Sequence, residues 1–175
     1  MINSNFLPFP KLKTKRVVLR QLINGDENEI FKLRSDNNVN KYLQRSACKS
    51  IDDAKSFIKN ILKNQSLYWA ITLNNNNNLI GTICLFDFSE DNKKAEIVYE
   101  LLPDFQGKGI MNEAMFKIID YGFHNIGLNI IEAYTHPENL SSTKLLEKCN
   151  FKKVHNDSDD LIKYELAAKS LVSES

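Results

Sequence analysis

Nothing in the 175-residue chain approaches the ~18 consecutive apolar residues of a membrane-spanning helix. Cysteine is scarce too. Cys48, Cys84 and Cys149 lie far apart with no C-x-x-C spacing, which argues against a disulfide framework and a zinc site. His124, His136 and His155 are equally dispersed, so no metal constellation is expected. Charge of one sign is also missing: 23 Lys and Arg face 22 Asp and Glu, for a net +1. Such a balance gives no field that selects nucleic acid or an anionic membrane. The basic residues Lys11, Lys13, Lys15, Arg16 and Arg20 do cluster, and read as a strand edge with solvated charges. The opening "MINSNFLPFPKLKTKR" has no long apolar core and carries prolines, unlike a signal peptide. A reducing cytoplasm is the expected location.

What is present is ordinary for a soluble globular protein, with 42% hydrophobic and 26% charged residues. The length suggests one domain over 1–175 with room for a substantial core. "RVVLRQL" reads as a strand and "NGDENEIFKLR" as a turn leading into a helix. In "SIDDAKSFIKNILKN", Ser50 and Asp53 have capping-box spacing, and Ala54, Phe57, Ile58, Ile61 and Leu62 make one apolar face. "SLYWAITL" and "LIGTICLFDF" are strands joined by "NNNNN", a hairpin connection because Asn tolerates turn conformations. "KAEIVYELL" is a strand stopped by Pro103, which has no N–H to donate. A helix then runs to about His124, followed by the strand "LNIIEAYT", the helix "NLSSTKLLEKC", and the strands "FKKVHN" and "LIKYEL". The order implies an α+β or α/β layered domain with no repeat and no linker.

The junction "QGKGIM" places Gly107 and Gly109 immediately before a helix. A helix start leaves about four N–H groups unpaired and carries roughly half a positive charge. Phosphate fits there provided no side chain blocks its approach. Lys108 adds a positive charge and Gln106 an amide, so the loop reads as a cradle for a phosphorylated ligand. A mere turn feeding a helix is the competing explanation. A P-loop is excluded, because Gly107-Lys108 is followed by Gly109 and the earlier glycine is missing. A Rossmann G-x-G-x-x-G fails at Asn112.

With this loop the chain resembles the GNAT acyltransferases, whose pyrophosphate loop reads Q/R-x-x-G-x-G/A. Gln106, Gly109 and Met111 fall on those positions, Met111 where a small residue is usual. "QGKGIMNEAM" looks most like the subgroup of ribosomal-protein N-terminal alanine acetyltransferases. "TKRVVLRQL", "LIGTICL", "AEIVYELLPDFQGKGIMNEAM" and "PENLSSTKLLEKCNF" occur in that subgroup's order and cover most of the chain. The resemblance implies a GNAT fold, with a mixed, mostly antiparallel sheet of about seven strands flanked by helices. It implies acetyl-CoA as acetyl donor, a direct transfer, and a monomer or homodimer.

In this resemblance the coenzyme arm lies along the backbone of Leu101 and Leu102, and the pyrophosphate on Gln106, Gly107, Lys108, Gly109, Ile110, Met111 and Asn112. Asn139 touches the arm and also caps the last helix. Glu96 matches the acidic residue that receives the amine proton in several relatives, because an ammonium has no lone pair with which to attack. Glu100 shares its strand face by parity, and two neighbouring carboxylates would raise one another's pKa. Many relatives use a tyrosine seven residues after Asn139 to protonate the leaving thiolate; here that residue is Leu146. Ser142 is the candidate for hydrogen bonding to the sulfur, and Tyr134 a possible substitute acid. Asn150 stands where a glycine usually ends the helix, and Asn is the next-best left-handed residue. Phe151 is expected to fold back on Leu145 or Leu146, and Cys149 to pack rather than react. The acceptor is a primary amine: a protein N-terminus, or a small amine such as a polyamine or aminoglycoside. The missing tyrosine leaves open a non-catalytic acetyl-CoA binder.

Overall fold

The computed structural model describes residues 6–91, 93–155 and 160–168. The first five residues of the opening segment, Asn156 of "FKKVHN" and the end of the expected 1–175 domain lie outside them. Eight strands are hydrogen-bonded in the order β1-β2-β3-β4-β5-β6-β8-β7: β1 Leu12–Lys13, β2 Val17–Gln21, β3 Leu67–Leu73, β4 Asn76–Ser89, β5 Lys94–Leu101, β6 Ile130–Thr135, β7 Lys152–Val154 and β8 Ile162–Ala167. The helices are α1 Glu27–Ser35, α2 Asn37–Asn40, α3 Ile51–Lys63, α4 Ile110–Tyr121 and α5 Leu140–Lys148. The pairs β1–β2, β2–β3, β6–β8 and β7–β8 are antiparallel, whereas β5 and β6 pair in parallel, which requires the long connection that α4 supplies. The sheet exceeds the expected seven strands by the two-residue edge β1. Among the described residues no helix is long and apolar enough to cross a membrane.

The chain forms two compact units by contact density. One comprises Phe6–Cys84 and Tyr99–Lys117. Its core joins Leu22, Ile30, Leu33, Ala54, Ile58, Ala70 and Leu79, with Phe57, Ile61 and Leu62 packed against them. Ile30 and Leu33 on α1, and Ala54 and Ile58 on α3, recur at the spacings that put side chains on one helical face. The capping box forms as expected, Ser50 Oγ accepting from Asp53 N and Asp53 accepting from Ser50 N. The asparagine run turns at Asn74 and Asn75, and β4 begins inside it at Asn76.

The basic cluster is not a solvated edge throughout, which corrects the sequence reading. Arg20 is only 9% exposed. It donates to both Asp26 carboxylate oxygens, at 2.7 and 2.8 Å, and to Asn77. A buried guanidinium must be paired in this way, because its desolvation is otherwise uncompensated. Arg16 is paired as well, with Glu113.

The other unit takes in Leu85–Val98 and the described residues from Ile118 onward. Here β6 pairs with β5 on one side and β8 on the other, and the register aligns Glu96, Glu132 and Glu165. After α4 the chain makes a π-helical turn, Gly122–Ile126, that the sequence reading took as the end of one helix. Gly127 ends it at φ 85°. Asn150 adopts φ 65°, the left-handed cap expected of it.

In the first unit β4 comes close to the end of β5. A Cβ on Gly81 would lie 2.5 Å from the Glu100 carbonyl oxygen and 3.1 Å from Leu101 Cα. Backbone cannot yield as a side chain does. Gly81→Ala is therefore expected to cost about 1–3 kcal/mol of stability, the usual range for overpacking. Its denaturant midpoint checks this; an unshifted midpoint would contradict the close approach.

Candidate functional site

Two groups of candidate residues are present, one in each unit. The first is the glycine loop. Pro103–Phe105 form a short 3-10 turn after β5, with Gln106 N donating to Pro103 O at 3.1 Å. Gly107 and Gly109 follow at φ 72° and 74°, a backbone region that favours glycine, and α4 starts at Ile110. Open space surrounds Gly107 where a Cβ would be. The loop thus delivers a helix start whose first N–H groups lack intrahelical partners, with no side chain at two of the three positions in front, Gly107 and Gly109. Met111 is only 8% exposed, so its bulk is turned inward and leaves that approach clear. Asn112 lies on the half-buried side of the first turn.

Three expected ligand groups are engaged within the protein. Gln106 Nε2 donates to Leu101 O at 2.8 Å, so this amide closes the loop. Leu102 N donates to Ile80 O at 2.9 Å, so backbone pairing continues past Leu101. Lys108 Nζ donates to Asp104 O at 2.7 Å and lies 5.8 Å from the Phe105 ring centroid. Its charge stays beside the loop.

Glu100 belongs to the same unit and is buried. Arg45 Nη1 donates to it at 2.9 Å, Tyr68 and Thr82 hydroxyls donate at 3.3 and 3.2 Å, and Arg34 stands 3.9 Å away. So committed a carboxylate is structural, and it is not among the groups that shift Glu96.

The second group surrounds Glu96 on β5. Burial, followed by the carboxylates of Asp87 and Glu132, pushes its carboxyl up from 4.5 to about 7. Asp87 sits at φ 51° in the left-handed region. Burial would also raise Glu132, but Lys163 at 2.8 Å and Lys94 at 2.9 Å outweigh it and hold that carboxyl below its usual range. Glu132 and Asp87 were not singled out from the sequence. A lone acid inside "NIIEAYT" was the available signal, since a charge in an apolar strand needs a partner. On β6, Tyr134 is 38% exposed, and burial followed by Glu132 raises its phenol above the ordinary value. It keeps its proton at neutral pH.

On α5 the cap is local and forms as expected. Asn139 Oδ1 accepts from Ser142 N at 3.3 Å and from the Ser141 hydroxyl at 3.0 Å. Ser142 is half-buried in the first turn. Leu146 is fully buried and can play no acid role. Cys149 is equally buried, and burial pushes its thiol up to about 11, so it packs and does not attack.

A profile of the acetyltransferase (GNAT) domain matches residues 16–152. The uncharacterized N-acetyltransferase YoaA of Bacillus subtilis (strain 168) is 33% identical over 149 residues, 83% of this chain and 84% of that one. The uncharacterized N-acetyltransferase p20 of Bacillus licheniformis is 35% identical over 146 residues, 81% of this chain and 82% of that one. A spermidine N(1)-acetyltransferase of Vibrio cholerae is 25% identical over 136 residues, 78% and 79% of the two chains. Among solved structures, a GNAT-family acetyltransferase from Bacillus anthracis has a TM-score of 0.81 at 21% identity, covering 91% of this chain and 99% of that one. The ribosomal-protein-S5-alanine acetyltransferase of Vibrio fischeri has a TM-score of 0.77 at 20% identity, covering 90% and 96%. These two structures share the fold.

The Glu96 environment makes stability depend on pH. Folded, Glu96 holds its proton up to about pH 7; unfolded, it ionises near 4.5. The folded state therefore binds more protons between these values, and stability falls as pH rises through that window. Glu96→Gln removes the effect. Its melting temperature is expected to exceed that of the parent at pH 8 and to match it at pH 4; equal gains at both would show that Glu96 is not raised.

Proposed function

Since the chain belongs to the GNAT family and is an acetyl-CoA-dependent N-acetyltransferase, we propose that its acceptor is a protein N-terminal α-amino group of the ribosomal-protein alanine type, with Glu96 as general base. The observation that carries this reading is the Glu96 carboxyl near 7. An α-ammonium has an ordinary pKa of about 7.7–8.0, so passing its proton to such a carboxylate is uphill by about one unit, a factor of ten. An alkylammonium near 10.4 faces more than three units, a factor of over a thousand. A base of this strength suits the weaker amine.

The other roles follow from the two groups. The first-turn amides of α4 and the backbone at Gly107, where space is open, are assigned to the diphosphate, with Lys108 adding charge beside it. Gln106, Leu101 and Leu102 shape the strand end along which the arm is expected to run, and Asn139 flanks that arm. The neutral amine attacks the thioester carbonyl carbon, forming C–N and breaking C–S, while its proton goes to Glu96. Coenzyme A leaves as a thiolate, which the Ser142 hydroxyl steadies until it takes a proton from water.

A polyamine acceptor is the second reading. The carboxylates of Asp87 and Glu96 favour it, as a cation would find two of them together, and one relative is a spermidine acetyltransferase. Glu132 adds little to such a field, being tied to Lys94 and Lys163.

Thiol release on a panel of peptides starting with Ala, Ser or Met, spermidine and an aminoglycoside separates the readings. The Ala peptide is expected to be the best substrate, and a preference for spermidine would transfer the assignment to the second reading. For the best amine, kcat/KM should rise with pH through about 7. Glu96→Gln should lower kcat by about 10²–10⁴-fold, as loss of a general base usually does. Undiminished turnover in that variant would overturn the base assignment.

A further inference from the structure

We infer that Arg16 and Glu113 are positioning residues that hold the Gly107–Gly109 loop in its binding conformation and thereby set acetyl-CoA affinity. The inference rests on the reading that residues 106–112 cradle the diphosphate.

The chain passes through two left-handed glycines to reach α4, and glycine loses more backbone freedom on ordering than any other residue. An untethered loop would have to be ordered by the ligand, at the ligand's cost in affinity. Here it is tethered. Glu113 lies in the first turn of α4, with its own N–H on the Gly109 carbonyl at 3.1 Å. Its Oε1 accepts from Arg16 N at 2.7 Å and from the Thr14 hydroxyl; its Oε2 accepts from Arg16 Nε at 2.7 Å. Arg16 then reaches past the helix to the loop, with Nη1 donating to Lys108 O at 2.9 Å. Its Nη2 would lie 3.3 Å from a Cβ placed on Gly109. One guanidinium thus bridges the helix's first turn and the carbonyl between the two glycines.

The pair also settles a charge conflict. A carboxylate beside an anion site would repel a diphosphate, and Arg16 neutralises it. Burial alone would raise the Glu113 carboxyl, but hydrogen bonds from Thr14 and Arg16 bring it down to about 2, so the pair stays ionised across the working pH range. An ordinary exposed ion pair contributes little to stability. The contact with Lys108 O is what directs this one at the loop. Lysine in place of Arg16 would keep the charge but lose the forked geometry that joins Glu113 to that carbonyl.

The experiment compares the full-length parent with Arg16→Gln, Arg16→Lys and Glu113→Gln. It measures calorimetric affinity for coenzyme A, steady-state kinetics with acetyl-CoA and the best amine of the panel, and melting temperature without ligand. The expected result for Arg16→Gln is a rise of about tenfold in both the coenzyme A Kd and the acetyl-CoA KM. Its kcat and amine KM are expected to stay at parental values. Arg16→Lys should recover part of the affinity, and the double variant Arg16→Gln/Glu113→Gln should bind no worse than Arg16→Gln alone. A fall in kcat with coenzyme affinity unchanged, or no change in either, would overturn the inference. If Arg16→Gln does not fold, Arg16→Lys and Glu113→Gln carry the same comparison. Failure of the underlying reading looks different: the parent would not bind coenzyme A, or Gly109→Ala would bind it undiminished.

Discussion

Backbone conformation at Gly107 and Gly109 is the constraint from which the remaining chemistry follows. Both residues take φ near 73°, where a side chain would be strained, and between them the chain turns from the end of β5 into the first residues of α4. A helix start binds an anion only if its N–H groups face open space. Space is left at Gly107, Met111 is folded inward, and the carbonyl at Lys108 is held by Arg16 rather than left to compete with a ligand. Each of these features serves the same few main-chain donors.

Behind that loop the strand end is held by a buried charge cluster. Glu100 is surrounded by Arg45, Arg34, Tyr68 and Thr82. Burying such charges is costly, and one left alone would be far costlier, so the members of the cluster are interdependent. Gly81 allows β4 to approach Glu100 and Leu101 at the same place. The backbone just before Pro103 is thus fixed both by packing and by ion pairs.

Local signals in the sequence were legible because their physics is local. Ser50 and Asp53, Asn139 and Asn150 each act within a few residues of themselves, and each is where the sequence predicts it; the asparagine run also turns as expected, but only over Asn74 and Asn75, with β4 starting at Asn76. The glycine loop was legible for the same reason. Long-range pairings were not. Nothing in "TKRVVLR" says that Arg16 meets Glu113, 97 positions away, or that Arg20 is buried on Asp26. Glu96 and Glu100 both lie on β5, but the alternation of burial that parity assumes breaks between them, and parity carries no information about neighbours. The two acids have different surroundings because the groups that meet them come from distant parts of the chain.

The glutamates show how far environment overrides residue type. Glu113, beside a guanidinium and a hydroxyl donor, is held at about 2. Glu132, with two lysines, is held low despite its burial. Glu96, aligned with Glu132 in the parallel register, receives no such donor among the described residues and rises to about 7. Burial comes first in keeping the Glu96 proton affinity high, and the carboxylates of Asp87 and Glu132 add to it. A carboxylate near its usual value would be too weak a base for an amine, and one raised much further would be protonated at neutral pH. Glu96 stands between these limits because burial, Asp87 and Glu132 together raise it to about 7 and no further.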